Sequence, residues 1–378
     1  MKGSKQQLQQ AFQRKCPNCG APLKFDPKSG QLACSHCKST VEFVKRREVR
    51  EREFWEMQDF TPWDEGQLAH YRCNNCGATS VLARTTLATK CPFCDSPVVV
   101  DEYATGLVRP DSLIPFELTH EQAAHQLAAW RRRKVFAPRK FRRNTRADSL
   151  KGVYVPAWTF DATTVSHYRG KLGKHKTRTV HRDGKSYTET YTEWFYVEGD
   201  IARNYDDIFI RGSNSLEQTY FDQLQTGDKS KYVLYDDKYL AGYIADNYTV
   251  QPMDAYQLAR RRIDSDIRRC IISRYGADEE GYLNVNTDVT SRSFKYMMLP
   301  IYVAATKYGG RVYNQYVSGY FSDTGRTKAQ VCGKFPKSGW KIFFTVLAVV
   351  AFVIGVIAMM LFIPGGEWSI DWGDPWYW

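Results

Sequence analysis

Two cysteine quartets with the same internal spacing constrain this chain more than any other feature. The first is Cys16-Pro-Asn-Cys19, fourteen residues, then Cys34-Ser-His-Cys37. The second is Cys73-Asn-Asn-Cys76, fourteen residues, then Cys91-Pro-Phe-Cys94. A CxxC…CxxC of this length folds two tight turns onto one tetrahedral Zn²⁺ through four thiolates. Small residues follow three of the turns, with Gly20-Ala21 and Gly77-Ala78 in matching places and Ser96 behind Cys94. They suit a backbone that doubles back to aim N–H groups at sulfur. The shared opening Cys-x-x-Cys-Gly-Ala reads as a duplicated unit. Two structural zinc ions are expected, because a shell of four thiolates leaves no position for a reactive water.

Disulfides are the rival use of eight cysteines. Met1 to Lys15 is polar and basic, without the apolar stretch of a secretory signal. In a reducing compartment, matched CxxC pairs point to metal rather than to structural bridges. The other end of the chain carries the second constraint. Ile342 to Ile363 is 22 residues without a charge. At 1.5 Å per residue a helix of that length reaches roughly 33 Å, enough for a bilayer core of about 30 Å. Lys334, Lys337 and Lys341 precede it, while Glu367, Asp371 and Asp374 follow. By the positive-inside rule the large N-terminal part is cytoplasmic and residues 364–378 lie outside. Trp340 on one side and Trp368, Trp372, Trp376 and Trp378 on the other match aromatic belts. The localisation expected is a bacterial inner membrane, crossed once.

Between these ends the sequence predicts an α+β fold. Ribbon 1 takes residues 14–44, with Val41 to Val44 as its return strand. A connecting helix from Lys45 to Gln58 opens a linker over 45–67, and ribbon 2 takes 68–101 with a strand at Ser80–Ala83. A β-rich, antiparallel α+β domain follows over 106–335. Within it, Leu113-Ile-Pro-Phe116 reads as a short strand. Thr119 and Gln122 cap a helix from His120 to Lys134. Asp183-Gly184 marks a hairpin. A second helix runs from Asp254 to Tyr275, with Leu258, Ile263, Ile267 and Ile271 on one stripe and Gly276 as its stop. Tyr154-Val-Pro-Ala-Trp158 and Met298-Leu-Pro-Ile-Tyr302 echo each other, and their prolines predict edge strands or bulges. Two related half-domains would explain the echo.

The strongest charge feature is Arg131 to Arg146, sixteen residues with nine cations and no acid. The cations are Arg131, Arg132, Arg133, Lys134, Arg139, Lys140, Arg142, Arg143 and Arg146, interleaved with Trp130, Phe136 and Phe141. Three readings stand together: a solvated helix end, a site for anionic lipid headgroups, and a site for nucleic-acid phosphates. Catalytic constellations do not emerge. There is no G-x-x-x-x-G-K-[ST], no H-E-x-x-H, no G-x-S-x-G and no EF-hand loop. His167, His175 and His181 fall in a polar hairpin and read as surface residues. Asp206-Asp207, Asp236-Asp237 and Glu279-Glu280 are adjacent, which suits turns better than paired acid–base work. Cys270 reads as a small core residue. Cys332, close to the membrane helix, is a candidate for reversible acylation. The chain is expected not to be an enzyme, and no small-molecule substrate suggests itself.

With these motifs the chain resembles a bacterial family of membrane-anchored tandem zinc-ribbon proteins. Members are often labelled primosomal replication factor or transcription-factor-IIB-type zinc ribbon protein. The likeness rests on Cys16-Pro-Asn-Cys19-Gly-Ala-Pro-Leu-Lys-Phe25, Leu113-Ile-Pro-Phe116, Gly152-Val-Tyr-Val-Pro-Ala-Trp158, Leu299-Pro300 and Asp323-Thr-Gly-Arg326. Val155 and Ala157 stand where the family more often has aromatic residues. The resemblance implies a non-enzymatic membrane component, associated with SPFH-domain or envelope-stress proteins. Its function would be that of an adaptor recruiting a soluble cytoplasmic partner to the membrane. The alternative is a membrane-tethered nucleic-acid-binding protein linked to replication or transcription.

Overall fold

The computed structural model of this protein describes residues 14–44, 46, 51–58, 68–83, 88–99, 108–143, 150–224, 229–322 and 328–362. The fold is α+β with mostly antiparallel sheet, as the sequence predicts. Ribbon 1 is a four-stranded sheet of β1 (Arg14–Lys15), β2 (Pro22–Asp26), β3 (Gln31–Cys34) and β4 (Thr40–Val41). Leu23 and Phe25 alternate inward with Lys24 outward, the period-2 pattern of a half-buried strand. The return strand is Thr40–Val41 rather than Val41–Val44, and Val44 is exposed.

The helix expected over Lys45–Gln58 does not form in its described part. Arg52–Glu53 (β5) instead adds a strand to the main sheet, and Phe54–Gln58 makes a short 3₁₀ turn. Tertiary partners override local propensity here. Glu51 pairs with Lys295, Arg52 with Asp111, and Phe54 packs edge-on against Tyr256 at 4.5 Å. Ribbon 2 consists of the hairpin β6 (Leu68–Arg72) and β7 (Thr79–Ala83), then β8 (Ala88–Lys90) paired with β9 (Pro97–Val99).

Next come β10 (Ser112–Leu113), α1 (His120–Arg133), α2 (Arg139–Arg142), and the long hairpin of β11 (Leu150–Arg182) and β12 (Lys185–Arg211). A short helix, α3 (Gln218–Leu224), leads to β13 (Val233–Leu234) and β14 (Ile244–Ala245). The second half runs α4 (Pro252–Tyr275), β15 (Glu279–Tyr308), β16 (Arg311–Ser318) and β17 (Val331–Gly333), ending in α5 (Gly339–Phe362). Thr119 and Gln122 form the capping box at the start of α1. Gly276 closes α4 at φ 55°, a left-handed conformation that glycine adopts at little cost.

The two echoed segments meet at the centre of the sheet. β11 and β15 run antiparallel, with Tyr154 opposite Pro300 and Pro156 opposite Met298. These prolines are central, contrary to the edge expected of them, and the pairing explains why they are tolerated. The Pro156 carbonyl accepts from Gly212 at 2.8 Å, just where β11 changes neighbour from β14 to β12. The Pro300 carbonyl accepts from Gly319 at 2.8 Å, where β15 changes neighbour from β10 to β16. At each switch a ladder N–H would have no partner strand, so a residue lacking one fits. Each half thus contributes a short parallel strand, a helix and a long hairpin, and each short strand pairs with the other half's long one.

Tyr154, Trp158, Tyr296 and Tyr302 fill the centre of the sheet, all buried. Along α4 the stripe facing the sheet is Ala255, Ala259, Ile263, Ile267 and Ile271, spaced i, i+4, while Leu258 is only half-buried beside it. Cys270, expected in the core, is half-exposed. Cys332 is buried, which removes it from the reach of an acylating enzyme. Past Gly173, where β15 ends its pairing with β11, the β11–β12 hairpin continues alone for the nine pairs from Lys174↔Glu193 to Arg182↔Lys185. That is an arm of roughly 30 Å. Asp183 (φ 52°) and Gly184 (φ 70°) form its tip, the type I′ geometry that Asp-Gly signals. At the far end, α5 is long and apolar enough to cross a membrane, and Gly339–Met359 is not covered by the rest of the protein. The segment 364–378 and the turn Asp323–Arg326 lie outside the described residues.

Candidate metal centres and the charged clusters around them

Four CxxC turns are built in the same way. In each, the residue after the second cysteine donates its N–H to the carbonyl of the first: Gly20 to Cys16 at 2.9 Å, Lys38 to Cys34 at 3.1 Å, Gly77 to Cys73 at 2.8 Å and Asp95 to Cys91 at 3.0 Å. The first cysteine's N–H in turn reaches the carbonyl five residues on, at 2.7–2.9 Å. Closing so tight a loop requires a left-handed residue after the second cysteine. All four have one: Gly20 φ 73°, Lys38 φ 62°, Gly77 φ 74° and Asp95 φ 59°. The spacing therefore acts on the backbone first, and the sulfurs follow.

Within each quartet the thiols converge. Cys16 and Cys37 Sγ are 3.6 Å apart, as are Cys19 and Cys34, Cys73 and Cys94, and Cys76 and Cys91. A tetrahedron with Zn–S bonds of about 2.3 Å has edges of about 3.8 Å, so both quartets fit one zinc ion each. Zinc supplies cross-linking here, and the closed thiolate shell gives it a structural role. Neighbouring polar groups favour the thiolate form at one edge of each quartet, while the crowding of sulfurs and burial raise Cys19, Cys73 and Cys91. The Ser39 hydroxyl lies 2.9 Å from Cys37 Sγ and 3.2 Å from Cys16 Sγ, and it draws Cys37 down to about 6. In ribbon 2, burial works against Cys94, but Asn75 and Ser96 bring it down to about 6. Cys19 and Cys76 are the exposed ligands in the two ribbons.

A second cluster was not legible as a unit. β11 and β12 slip by one residue between Phe160 and Ala162, so Asp161 faces both Asp206 and Asp207. Asp207 sits in the bulge at φ 53°, and its N–H donates to Asp161 Oδ1 at 2.6 Å. The expected turn role thus becomes a β-bulge. Lys295, its side chain almost wholly buried, lies 2.8 Å from Asp207 Oδ1 and 2.9 Å from Glu51 Oε1, while Lys229 pairs with Asp206. Burial pushes Asp161 up to about 6 despite Lys295. The two lysines already supply the positive charge that a cation would bring. The cluster ties the linker residue Glu51 to the middle of the sheet. Asp246 is buried as well, accepting from Thr79 Oγ1 at 3.0 Å, Ser213 Oγ at 2.7 Å and the Asn247 N–H at 2.9 Å. Asp236 caps the short turn after it, as an Asp pair in a turn should, while Glu279 and Glu280 go to opposite sides to meet His175 and Arg268. His167 pairs with Asp200, and both are exposed.

The basic stretch divides when placed in the fold. Arg131 leaves it altogether. It is 2% exposed, donates to Thr306 Oγ1 at 2.7 Å and to Gln315, and lies over Phe141. Its place on α1 gives the reason: Ala123, Leu127 and Arg131 follow i, i+4, i+8 along the buried stripe. Burial lowers its pKa to about 10. Lys134 lies 4.3 Å over the Trp130 ring, and Arg142 is half-buried. Arg132, Arg133, Arg139, Lys140 and Arg143 are exposed. Arg146 lies outside the described residues.

No protein-family model matches the chain, and no solved structure matches it. One similar protein is the "Uncharacterized protein YdjG" of Bacillus subtilis (strain 168). It is 27% identical over 336 residues, covering 87% of this chain and 91% of that one.

Proposed function

We propose that this protein is a non-enzymatic, zinc-stapled adaptor, held in the bacterial inner membrane by α5 with its bulk on the cytoplasmic side. Its task is to bring a soluble cytoplasmic protein to that surface. The observation that carries this reading is the free arm of β11 and β12. A two-stranded ribbon in water is marginal on its own, and neither face of this one packs on a core. One face carries Thr177 opposite Thr190 and Thr179 opposite Thr188. The other carries the pairs Lys176–Glu193 and Arg178–Glu189, with Arg178 over Tyr191. Tyr187 and Tyr191 are exposed along this face, Trp194 and Tyr196 are exposed on the opposite face at the base of the arm, beside Gly173 and Lys171, and such amphipathic rings anchor interfaces at low entropic cost. The ribbons contribute by fixing the sheet from which the arm projects, so zinc acts at one remove from the partner.

The test is affinity isolation of the full-length protein from gently solubilised membranes, with the Tyr187→Ser/Tyr191→Ser variant alongside. A protein retained by the unchanged chain and lost by the variant, with zinc content unaltered, is the expected result. SPFH-domain and envelope-stress proteins are the first candidates to look for. Identical captures from both chains, or none, would sink the adaptor reading.

A second reading rests on a specific feature of the same arm. Lys174, Lys176, Arg178, Arg182 and Lys185 make it basic, and a two-stranded ribbon has the width of a DNA major groove. Nuclease treatment during isolation separates the two. Partners that survive it belong to the adaptor, and partners that vanish with it, with salt-sensitive binding, belong to a membrane-tethered nucleic-acid-binding protein.

A further inference from the structure

The turn that links α1 to α2 is fastened to the start of α5. The Ser338 N–H donates to the Phe136 carbonyl at 2.8 Å. Lys341, in the first turn of α5, donates from Nζ to the carbonyls of Val135 at 2.8 Å and Ala137 at 2.7 Å. An ammonium group held by two backbone carbonyls is a strong reason for the turn to stay at this level. Yet the side chains at its crest are apolar and uncovered: Val135 is 66% exposed and Phe136 40%. Trp340, 73% exposed and stacked on Phe344, stands next to the fastening.

The level of this turn follows from α5. Gly339–Met359 is the apolar window, and its 21 residues reach about 32 Å, close to the thickness of a hydrocarbon core. Ser338 therefore lies at one boundary of that core, and the turn lies with it. Exposed cations surround the turn, with Arg132 and Arg133 on one side and Arg139 and Lys140 on the other. Apolar crest, basic rim and a tryptophan at the same depth match the layered chemistry of an anionic leaflet.

We propose that Val135 and Phe136 form an interfacial wedge that enters the headgroup–acyl boundary, while Arg132, Arg133, Arg139 and Lys140 hold the phosphates of anionic phospholipids. The occupant is the lipid of the leaflet that α5 crosses. This rests on α5 spanning the membrane, as the proposed function does. The wedge sets the height and tilt of the sheet above the bilayer, because the turn is continuous with α1, whose Ala123 and Leu127 pack into the core.

The experiment places p-benzoylphenylalanine at Phe136 in one full-length variant and at Phe352, mid-helix and exposed, in another. Both are reconstituted in phosphatidylcholine nanodiscs with or without phosphatidylglycerol, irradiated, and read by mass spectrometry for lipid adducts. Adducts are expected at both positions, several-fold more abundant at 136 when phosphatidylglycerol is present. Adding Arg132→Gln and Arg133→Gln should abolish that dependence and leave the Phe352 adduct unchanged. An adduct at 352 and none at 136 overturns the wedge while the anchor stands. No adduct at either position overturns the anchor and the wedge together. Adducts at 136 that ignore phosphatidylglycerol overturn the anionic-lipid assignment. Duplex DNA captured by the nanodisc-embedded protein, and lost with Arg132→Gln and Arg133→Gln, would return the cluster to nucleic acid.

Discussion

The two zinc ribbons share ligand spacing, turn hydrogen bonds and left-handed residues, yet they are joined to the rest of the protein in different ways. Ribbon 1 keeps its own four-stranded sheet and docks through side chains. Phe25 and Phe43 pack on Tyr239 at 5.2 and 5.0 Å, with one backbone bond from the Phe25 N–H to the Ala241 carbonyl. Ribbon 2 is fused to the main sheet. Val81 of β7 pairs with Ala245 of β14, Thr79 reaches the buried Asp246, and Lys151 Nζ meets the Cys91 carbonyl at 3.2 Å and Asp95 at 3.1 Å. Both ribbons also reach the core by packing, Cys16 and Cys34 in one hydrophobic cluster with Tyr154 and Tyr302 and Cys73, Cys91 and Cys94 in another with Val153 and Ile301, so the strand pairing is what sets ribbon 2 apart. Duplicated motifs therefore need not have duplicated roles. The first ribbon is a docked module and the second is part of the wall.

The largest test of this contrast is loss of metal. Zinc binding is worth about 10–16 kcal/mol in small ribbons, and it stabilises whatever is built on the site. Cys34→Ser should remove one zinc and raise hydrogen exchange over residues 14–44 alone. Cys91→Ser should remove one zinc and raise exchange in β14 and the adjoining part of β11 as well. Equal spread of exchange from both variants would abolish the distinction.

Truncation at the docking face comes next. Tyr239→Ala removes the ring between Phe25 and Phe43, a loss of about 3 kcal/mol by analogy with other buried aromatics. Ribbon 1 should then become sensitive to protease while both zinc ions remain bound. Zinc lost along with the contact would show that docking and metal binding are coupled there.

Much of this was legible in the sequence, and the reasons for the rest are physical. Spacing alone gave the ligands, because metal geometry is local and strict. The uncharged run gave α5, and Thr119, Gln122, Asp183-Gly184 and Gly276 gave the ends of elements through backbone rules that act over a few residues. What stayed hidden was non-local. Arg52 and Glu53 carry helical spacing, yet Asp111 and Lys295 pull that stretch into a strand. Pro156 and Pro300 look like edge residues until the strand beside each is seen to change. The i, i+4, i+8 spacing of Ala123, Leu127 and Arg131 did carry a signal, hidden under the charge of its neighbours. Nothing in the local sequence of Thr79 pointed to Asp246.

That buried pair supplies a pH test confined to ribbon 2. Burial is the main effect on Asp246 and pushes it up from 3.8 to about 7, against the hydrogen bonds from Ser213, Ser215, Thr79 and Asn247. A raised pKa means the folded state favours the protonated acid. Its contribution is full below about pH 4 and is lost as pH rises towards 7. Asp246→Asn keeps the neutral form at every pH. Going from pH 5 to pH 8, the variant should gain on the unchanged chain by on the order of 2 kcal/mol, read from denaturant midpoints of full-length protein in detergent. Parallel curves for the two chains would mean that Asp246 stays charged throughout. Ribbon 1 has no such buried carboxylate among the described residues, so its opening should not follow this profile.

The smallest effect separates the two ribbons at one backbone position. Lys38 and Asp95 occupy equivalent left-handed sites, where ribbon-opening turns use Gly20 and Gly77. A side chain in that conformation costs about 1 kcal/mol, and glycine relieves it while adding freedom to the unfolded chain. At Lys38 the side chain offers only an exposed bond to the Ser35 carbonyl at 3.0 Å, so Lys38→Gly should slow zinc release to a chelator by up to about fivefold. At Asp95 the same change also removes the partner of Lys151, an exposed pair worth a few tenths of a kcal/mol to about 1. The two contributions then nearly cancel, and Asp95→Gly should leave the rate of zinc release close to its starting value. If Asp95→Gly slows release as much as Lys38→Gly does, the Lys151–Asp95 pair adds nothing to how ribbon 2 is held, and its fixation rests on the strand pairing, on Thr79, on the Lys151 bond to the Cys91 carbonyl and on core packing.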